Sequence, residues 1–246
     1  MTRYLAASTN VTVGDHPEWH FFGLTFNSDT IISTLVASAI LLIVGFVVRA
    51  KATSGPPNGI QLFFETIVGF LRAQIDGLIG MRVAPYVLPL SVTLFFYILV
   101  SNWLAVLPLT VGGHELLPPP ASDVNFVYPL ALLVFIWKHL SGARVHHGLG
   151  RQAVHTLKGH STPLFLFWII EEISGLMSHA LRLFGNVLAG GIMLSVIAAI
   201  LPVEINWALN GAWKLFDLFI GAVQAFIFAL LTVIYFSQAM ENREGH

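Results

Sequence analysis

The chain has 246 residues, of which 56% are hydrophobic and only 10% are charged, and its mean hydropathy is +0.77. A typical soluble domain is about 25% charged, so this composition excludes a water-soluble globule and indicates a protein that crosses a membrane several times. The net charge of −1 excludes a strongly basic nucleic-acid binder, and the lack of cysteine excludes disulfide frameworks, thiolate metal sites and thioether-bound haem.

The first predicted membrane helix follows a polar N-terminal segment, 1–29, in which we expect no cleavable signal. About 20 apolar residues are needed to cross the roughly 30 Å of hydrocarbon in a bilayer. The stretch Thr30–Val48 meets this need without a charge and is followed by Arg49 and Lys51. We therefore predict the first crossing over residues 30–48.

The next stretch, 58–80, is apolar but carries polar residues on one helical face. These residues are Gln61, Glu65, Arg72 and Asp76. The opposite face holds Leu62, Phe63, Ile67, Phe70, Leu71 and Leu78. An amphipathic helix in the membrane interface explains this pattern better than a crossing does. A short core helix packed on the other helices is the alternative.

Two further crossings are predicted within 83–140. The first, Val83–Pro108, is uncharged, and the second, Val124–Leu140, meets its first charge at Lys138. A cytoplasmic loop over 141–162 is expected after them.

The C-terminal part, 163–240, contains two longer apolar stretches, Pro163–Leu201 and Trp207–Met240, joined at Leu201-Pro202. Helices this long must tilt or protrude from a bilayer, so we predict a steeply tilted hairpin followed by a short tail, 241–246. The predicted fold is an all-α polytopic membrane protein with five transmembrane helices and one amphipathic interfacial helix.

Basic residues orient the chain, because cytoplasmic loops are enriched in lysine and arginine. They cluster in two connections and include Arg49, Lys51, Arg72, Arg82, Lys138, Arg144, Arg151 and Lys158. The other two connections contain no lysine or arginine and hold the acidic residues Glu115, Asp123 and Glu204. The N-terminus is therefore predicted outside and the C-terminus in the cytoplasm.

The predicted cytoplasmic loop and its flank are rich in histidine: His139, His146, His147, His155 and His160. These residues allow either a metal site or a solvated loop. The solvated loop is favoured, because no two of them have the His-x-x-x-His spacing of helical metal ligands.

Ionisable residues inside the last two crossings point to function: Glu171, Glu172, Arg182, Lys214 and Asp217. An ionised group at the bilayer centre costs roughly 3 kcal/mol on insertion scales, so such residues usually face protein or water and mark an ion or substrate path. A charge pair that joins two helices is the structural alternative. Arg182 and Gln224 are the midpoints of the two stretches, so an antiparallel hairpin brings them to one level.

Two polar stripes run along the hairpin at helical spacing. One contains Glu171, Gly175, Ser178, Arg182 and Asn186, and the other contains Asp217, Gly221, Gln224, Phe228 and Tyr235. Stripes of this kind, facing inward or onto a partner, are typical of a conduit. Several small residues, Gly175, Gly185, Ala189, Gly190, Gly191 and Gly221, would permit close approach of another helix.

Carboxylates flank Arg182 at different depths. Glu171 and Glu172 lie about 16 Å towards the cytoplasm, and Asp217 lies about 10 Å outward of the level of Gln224. This arrangement predicts two half-channels separated by an arginine that does not release its proton. A conduit blocked in its middle needs a partner whose protonatable carboxylate can pass the arginine.

At these residues the chain resembles subunit a of F-type ATP synthases over essentially its whole length, and in detail it is most similar to actinobacterial members. The most specific motifs are Leu181-Arg182-Leu183-Phe184-Gly185-Asn186 with Ala189-Gly190, and Gln224-Ala225-Phe226-Ile227-Phe228 followed by Leu231-Thr232 and Tyr235. Further landmarks of the resemblance are Ser101-Asn102-Trp103-Leu104-Ala105-Val106-Leu107-Pro108 and Asp123-Val124-Asn125.

The resemblance implies that Arg182 is the stator arginine facing the ring of c subunits, where it would attract each rotor carboxylate into its ionised state. The other implied residues are its polar neighbours Asn186 and Gln224, Asp217 in the external half-channel, and Glu171 and Glu172 at the cytoplasmic exit. It also implies a bacterial plasma-membrane location, the b subunits of the peripheral stalk as partners, and proton flow coupled to rotation and ATP synthesis.

Some positions depart from the family pattern. Gly175-Leu176 replaces a common basic–proline pair, Ala105 lies where some members carry Asp, and Gly191 lies where some carry an acidic partner of the Asp217 layer. His179 replaces a small or apolar residue, three positions before Arg182. Either it relays protons or it is a packed histidine bonded to a carbonyl.

Rival functions fit less well. A secondary transporter with a midplane site would show inverted repeats, and an odd number of crossings does not divide into equal halves. A haem subunit needs pairs of axial histidines, yet only His179 is clearly inside a crossing. The chain contains no G-x-x-x-x-G-K loop, so we expect it to bind no nucleotide, to use no cofactor and not to catalyse by itself.

Overall fold

The computed structural model describes residues 18–21, 24–53, 55–78, 80, 85–106, 110–111, 114–115, 117–145, 148 and 165–240. These residues form six α-helices: α1 Ser28–Lys51, α2 Gly59–Leu78, α3 Val87–Trp103, α4 Val124–Val145, α5 Phe165–Ile200 and α6 Val203–Met240. Within these ranges, α1, α4, α5 and α6 are long and apolar enough to cross a membrane, and α3 is a shorter apolar helix. The chain is therefore an all-α polytopic membrane protein, as predicted.

Two short antiparallel hairpins accompany the helices, and the sequence pattern did not indicate either of them. Strand β1 (Glu18–Phe21) pairs with β2 (Leu24–Asn27), immediately before α1. Strand β3 (Thr110–Val111) pairs with β4 (His114–Glu115), between α3 and α4. Both lie outside the apolar stretches that the hydropathy analysis identified.

Helix α3 is shorter than the apolar stretch that predicted it. It begins at Val87, after a turn, and gives way at Trp103 to a 3-10 turn over Leu104–Val106. Pro89 lies in its first turn, where the missing N–H leaves no helical hydrogen bond unmade. Proline in the first turn is therefore compatible with a helix that begins at Val87, four residues after the apolar stretch does.

Helix α4 is longer than predicted and runs five residues past Leu140, into the segment assigned to a loop. Ser141 and Gly142 are buried there, so packing holds the last turns in helical form. The more distant histidines of the predicted loop, His146, His147, His155 and His160, lie outside the described residues.

The hairpin of α5 and α6 turns at Leu201 and Pro202, as predicted. Pro202 has no N–H to extend α5, and its carbonyl accepts hydrogen bonds from the backbone N–H groups of Ile205 and Asn206, at 3.1 and 3.0 Å. The helices have 36 and 38 residues, or about 54 and 57 Å at 1.5 Å per residue. Both exceed the hydrocarbon thickness, so each must tilt or protrude.

Helix α6 forms the centre of the bundle and packs against α2, α3, α4 and α5. Its side chains Phe228, Val233 and Phe236 are fully buried, together with Ile98 of α3 and Leu183 of α5. Helix α5 packs chiefly against α4 and α6. One side of α5 is consequently open.

Helix α1 presents large apolar side chains outward: Leu35, Leu42, Ile43, Phe46 and Val47. Several large apolar side chains exposed together along one helix are rare on soluble proteins. This face fits contact with lipid, because exposing apolar side chains to hydrocarbon does not have the free-energy cost of exposing them to water.

Helix α2 combines both sequence interpretations. Leu71 and Ile75 are buried in the core, and the rings of Phe64 and Phe96 stack with centroids 4.2 Å apart. Glu65, Arg72 and Asp76 are exposed on another face, and so are the apolar side chains of Leu62, Phe63, Phe70 and Leu78. A helix docked on the bundle with one polar and one apolar exposed face suits the boundary between lipid and water.

Asp123 joins the start of α4 to the start of α1. Its Oδ2 accepts hydrogen bonds from Asn27 Nδ2 at 2.6 Å and Thr30 Oγ1 at 2.7 Å, and its Oδ1 accepts one from the backbone N–H of Asn125 at 2.8 Å. The carboxylate is buried, so these donors replace the water that it would otherwise bind.

Replacing Asp123 with alanine should destabilise this end of the bundle. Three donors lose their acceptor at a buried site, which costs roughly 2 kcal/mol or more. We expect a lower midpoint in thermal denaturation of the detergent-solubilised protein. Val124→Ala, at the neighbouring exposed position, is the control and should leave the midpoint near that of the wild type. Equal midpoints for both variants would contradict the role assigned to Asp123.

Candidate functional site

The two C-terminal helices pack antiparallel in a register that two contacts fix. A Cβ atom added to Gly190 of α5 would lie 2.5 Å from Asp217 Oδ1 and 2.9 Å from its Cγ, so the carboxylate rests on the glycine backbone. Further along the hairpin, the ring of His179 lies on the ring of Phe228, with centroids 3.7 Å apart. Eleven residues separate Gly190 from His179, and eleven separate Asp217 from Phe228, so the two contacts agree.

This register places Arg182 beside the middle of α6. Counting three residues on from His179 and three back from Phe228 pairs Arg182 with Ala225, which is adjacent to Gln224. The expected alignment of Arg182 and Gln224 at one level is therefore present in the hairpin to within one residue.

Arg182 lies on the open side of α5. It is exposed and lines a wide, shallow concavity of about 710 Å³. The other lining residues all belong to α5 as well: Ile170, Ile173, Ser174, Met177, Ser178 and Leu181. No other described element contributes to this concavity. The guanidinium thus projects from a mostly apolar helix face that the chain itself leaves uncovered.

A second cavity lies between α4, α5 and α6. It has a volume of about 340 Å³ and brings together three of the predicted site residues, Glu171, Glu172 and His179. Ser174 and Ser178 line both this cavity and the open concavity. The cavity that holds the carboxylates and the concavity that holds Arg182 are thus adjacent, and both are lined by α5.

Glu172 does not lie free in this cavity. Its Oε1 accepts a hydrogen bond from Lys138 Nζ of α4 in a partly buried ion pair, and His139 Nε2 lies 3.5 Å from the same oxygen. Lys138 Nζ also lies 5.5 Å from the centroid of the Tyr235 ring on α6. In the sequence, Lys138 stands at the end of an apolar stretch, a position that indicated orientation and not a partner for Glu172.

His179 is 2% exposed, and neither ring nitrogen has a hydrogen-bond partner among the described residues. Its ring is held by Phe228 and by Tyr235, whose centroid is 5.5 Å away in an edge-on arrangement. No described backbone carbonyl accepts a hydrogen bond from it, so the carbonyl-bonded alternative is not found. A relay role stays a prediction.

Near the middle of α6, close to Asp217, α3 is tied to α6 by two hydrogen bonds. Asn102 Nδ2 donates to the Gly221 carbonyl oxygen at 3.1 Å, and Trp103 Nε1 donates to that of Leu218 at 3.3 Å. A Cβ on Gly221 would lie 3.0 Å from the Cβ of Asn102, so any larger residue at this position would crowd the contact between the two helices. Asn102 was a motif landmark in the sequence and was not among the predicted site residues.

Two buried amides remain incompletely bonded in this region. Gln224 is 6% exposed, and its Nε2 has no partner in the part of the chain that the structure describes. Asn102 Oδ1 is likewise buried without a partner there. Buried polar atoms of this kind usually bind water or another polar group, so a polar path near the level of Arg182 fits both.

The two predicted stripes face different surroundings. On α6, Gly221, Gln224 and Phe228 are buried within the chain. On α5, Arg182 is exposed and Asn186, one turn further on, is half-buried. The middle of the α6 stripe is therefore covered by the chain itself, whereas the α5 stripe is open to a partner at Arg182.

A metal centre finds no support in the part of the chain with described structure, where no group of three or more His, Asp or Glu side chains could hold an ion.

Comparison with known proteins gives a consistent result. The chain matches the family described as ATP synthase A chain over residues 31–237. It is 49% identical to ATP synthase subunit a of Mycobacterium tuberculosis, over all of both chains. It is 41% identical to that of Acidothermus cellulolyticus, over 94% of this chain and 84% of the relative, and 35% identical to that of Bacillus subtilis, over 90% and 96%. The mycobacterial and Acidothermus relatives agree with the actinobacterial character of the motifs.

Proposed function

The chain belongs to the ATP synthase A chain family, and on that premise we propose that it is the ion-conducting stator of the membrane sector. It is a multi-pass membrane subunit of a bacterial ATP synthase. In the proposed mechanism, two offset half-channels carry protons to and from the c-ring carboxylates, and Arg182 separates them. Proton flow then turns the ring and is coupled to ATP synthesis.

The exposed position of Arg182 carries this proposal. An arginine facing hydrocarbon near the bilayer centre costs several kcal/mol, so the open side of α5 needs a partner. A ring of helices that each bring one carboxylate supplies both an apolar cover and a counter-charge. The guanidinium stays charged in any protein environment, so it can attract a carboxylate into its ionised state and block direct passage of a proton.

The cavity between α4, α5 and α6 supports the cytoplasmic half-channel. It begins near Glu171 and Glu172 and extends to His179, one helical turn before Arg182. Its lining offers carboxylate, imidazole and hydroxyl groups, each of which can exchange a proton or bind water. The rotor carboxylate would meet Arg182 where this path ends, and it would exchange its proton with the path there.

The half-buried Asp217 supports the external half-channel. Between its level and that of Arg182 lie Asn102 and Gln224, whose unpartnered buried amide atoms suit a chain of water molecules. The two proposed paths reach Arg182 from opposite ends of the hairpin, so neither crosses the membrane alone.

The orientation of the chain in the membrane and its partner subunits are part of this proposal. The N-terminus lies outside and the C-terminus in the cytoplasm, because the basic connections then face the cytoplasm. The partners are the c ring and the b subunits of the peripheral stalk. The chain itself neither binds nucleotide nor catalyses, since the catalytic subunits of the complex do both.

Asp217→Ala tests the external half-channel. We expect ATP-driven acidification of membrane vesicles to fall by about fivefold, which is less than the hundredfold or more typical of an irreplaceable proton-transfer group, because water can substitute in part. Glu204→Ala removes an exposed acid from the first turn of the same helix and should pump as the wild type does. An assembled Asp217→Ala complex with wild-type pumping would refute this half-channel.

A further inference from the structure

We propose that Lys138 is a positioning residue of the cytoplasmic half-channel, which holds Glu172 at a fixed place in the proton path. This inference rests on the proposed function and concerns a residue that lies on α4, outside the hairpin.

The ammonium group of Lys138 is fixed from two sides. It donates to Glu172 Oε1 on α5 and lies 5.5 Å from the Tyr235 ring centroid on α6, while the Phe135 ring on its own helix is 5.6 Å away. Its side chain is only 11% exposed. Ring faces attract cations, so the two aromatic side chains and the carboxylate together restrict a side chain that is otherwise flexible.

The contacts distinguish Glu172 from Glu171. The Glu172 side chain is 18% exposed and is held by Lys138, with His139 Nε2 also near its Oε1. Glu171 is exposed, and no ion pair involving it is found among the residues described. Only one of the two carboxylates therefore has a defined place in the cavity.

That place lies at one end of the cavity, and His179 lies at the other. Seven residues separate Glu172 from His179, or about 10 Å along the helix. The cavity volume of about 340 Å³ has room for roughly ten water molecules at about 30 Å³ each. A carboxylate fixed at one end and an imidazole with unpartnered nitrogens at the other can define a water chain, and Lys138 keeps the first of these groups in position.

A purely structural role predicts something different. If Lys138 only neutralises a partly buried charge, removing both charges together should restore function, because the harm comes from the stranded carboxylate. If Lys138 positions Glu172 for proton transfer, removing both should be no better than removing Glu172 alone. The double variant separates the two roles.

The experiment measures ATP-driven acidification by assembled complexes that carry Lys138→Met, Glu172→Gln, both changes, or Lys138→Arg. We expect each single neutral variant to pump about fivefold more slowly; the loss stays below the hundredfold of an irreplaceable proton-transfer group, because Glu171 is adjacent. The double variant should match Glu172→Gln, and Lys138→Arg should retain most activity because it keeps the charge. Should Lys138→Met fail to assemble, Lys138→Gln carries the same expectation.

Wild-type pumping by the neutral Lys138 variant, or recovery in the double variant, would overturn the positioning role. These outcomes differ from a failure of the proposed function. If Arg182→Ala pumps normally, the conduit itself is wrong. If Arg182→Ala is inactive while Lys138→Met pumps normally, the proposed half-channels are supported and only the positioning role of Lys138 is refuted.

Discussion

Replacing Arg182 with alanine is expected to abolish ATP synthesis driven by an imposed ion gradient, while the complex still assembles. The guanidinium is exposed on α5 and lies level with Ala225 of α6, at the point where the two half-channels are proposed to meet. Without it, nothing favours the ionised rotor carboxylate at this level, and nothing blocks a proton that passes from one half-channel to the other. Ion flow and rotation would then be uncoupled.

The measurement uses proteoliposomes with purified complex, and co-purification of the c ring verifies assembly. Passive ion flux through the membrane sector, freed of its catalytic part, should not fall, because both half-channels remain. Leu181→Ala is the matched control: Leu181 is also exposed and lines the same concavity. It should synthesise ATP at close to the wild-type rate. ATP synthesis at wild-type rate by an assembled Arg182→Ala complex would disprove the separation of the half-channels.

Replacing Gly190 with leucine is expected to remove nearly all coupled transport. The Asp217 carboxylate occupies the space that a Cβ would need, so any larger side chain must displace it and push α5 away from α6. Overpacking a helix contact costs about 1–3 kcal/mol, and with the loss of a correctly placed Asp217 we expect ATP synthesis to fall roughly twentyfold or more. The loss should therefore exceed that of Asp217→Ala.

The neighbouring glycine provides the control. A Cβ added to Gly191 meets no atom within 4 Å, and the residue is exposed. Both substitutions replace glycine by leucine in the same helix, so their effects on helix propensity are alike. Gly191→Leu should keep most of the ATP synthesis rate. If the two variants lose activity equally, the contact with Asp217 is not the cause.

Much of this architecture could be predicted from hydropathy and spacing alone. The apolar stretches around α1, α4, α5 and α6 are long, and the bilayer imposes a minimum length that few other constraints disturb. The level of Arg182 relative to Gln224 followed from the midpoints of the two apolar stretches, which an antiparallel hairpin brings together.

The ion pair of Lys138 with Glu172 could not be predicted from the sequence, because the two residues are 34 positions apart and only the packing of α4 on α5 brings them together. Asn102 is a similar case, since its partner Gly221 lies on another helix. The two β-hairpins have no extended apolar pattern. Helix ends at Val87 and Val145 depend on proline placement and on packing, to which an average over apolar residues is insensitive.

Asp123 has a consequence for the order of events during biogenesis. Its partners Thr30 and Asn27 precede it by 93 and 96 residues, so these bonds cannot form while the chain up to α3 is still emerging from the ribosome. Until Asp123 has been synthesised, the first helix is held in the membrane by its lipid-facing side chains and by its packing on α2 and α3. The joint at Asp123 is thus a late step, which closes one end of the bundle only after the early helices have been delivered to the bilayer.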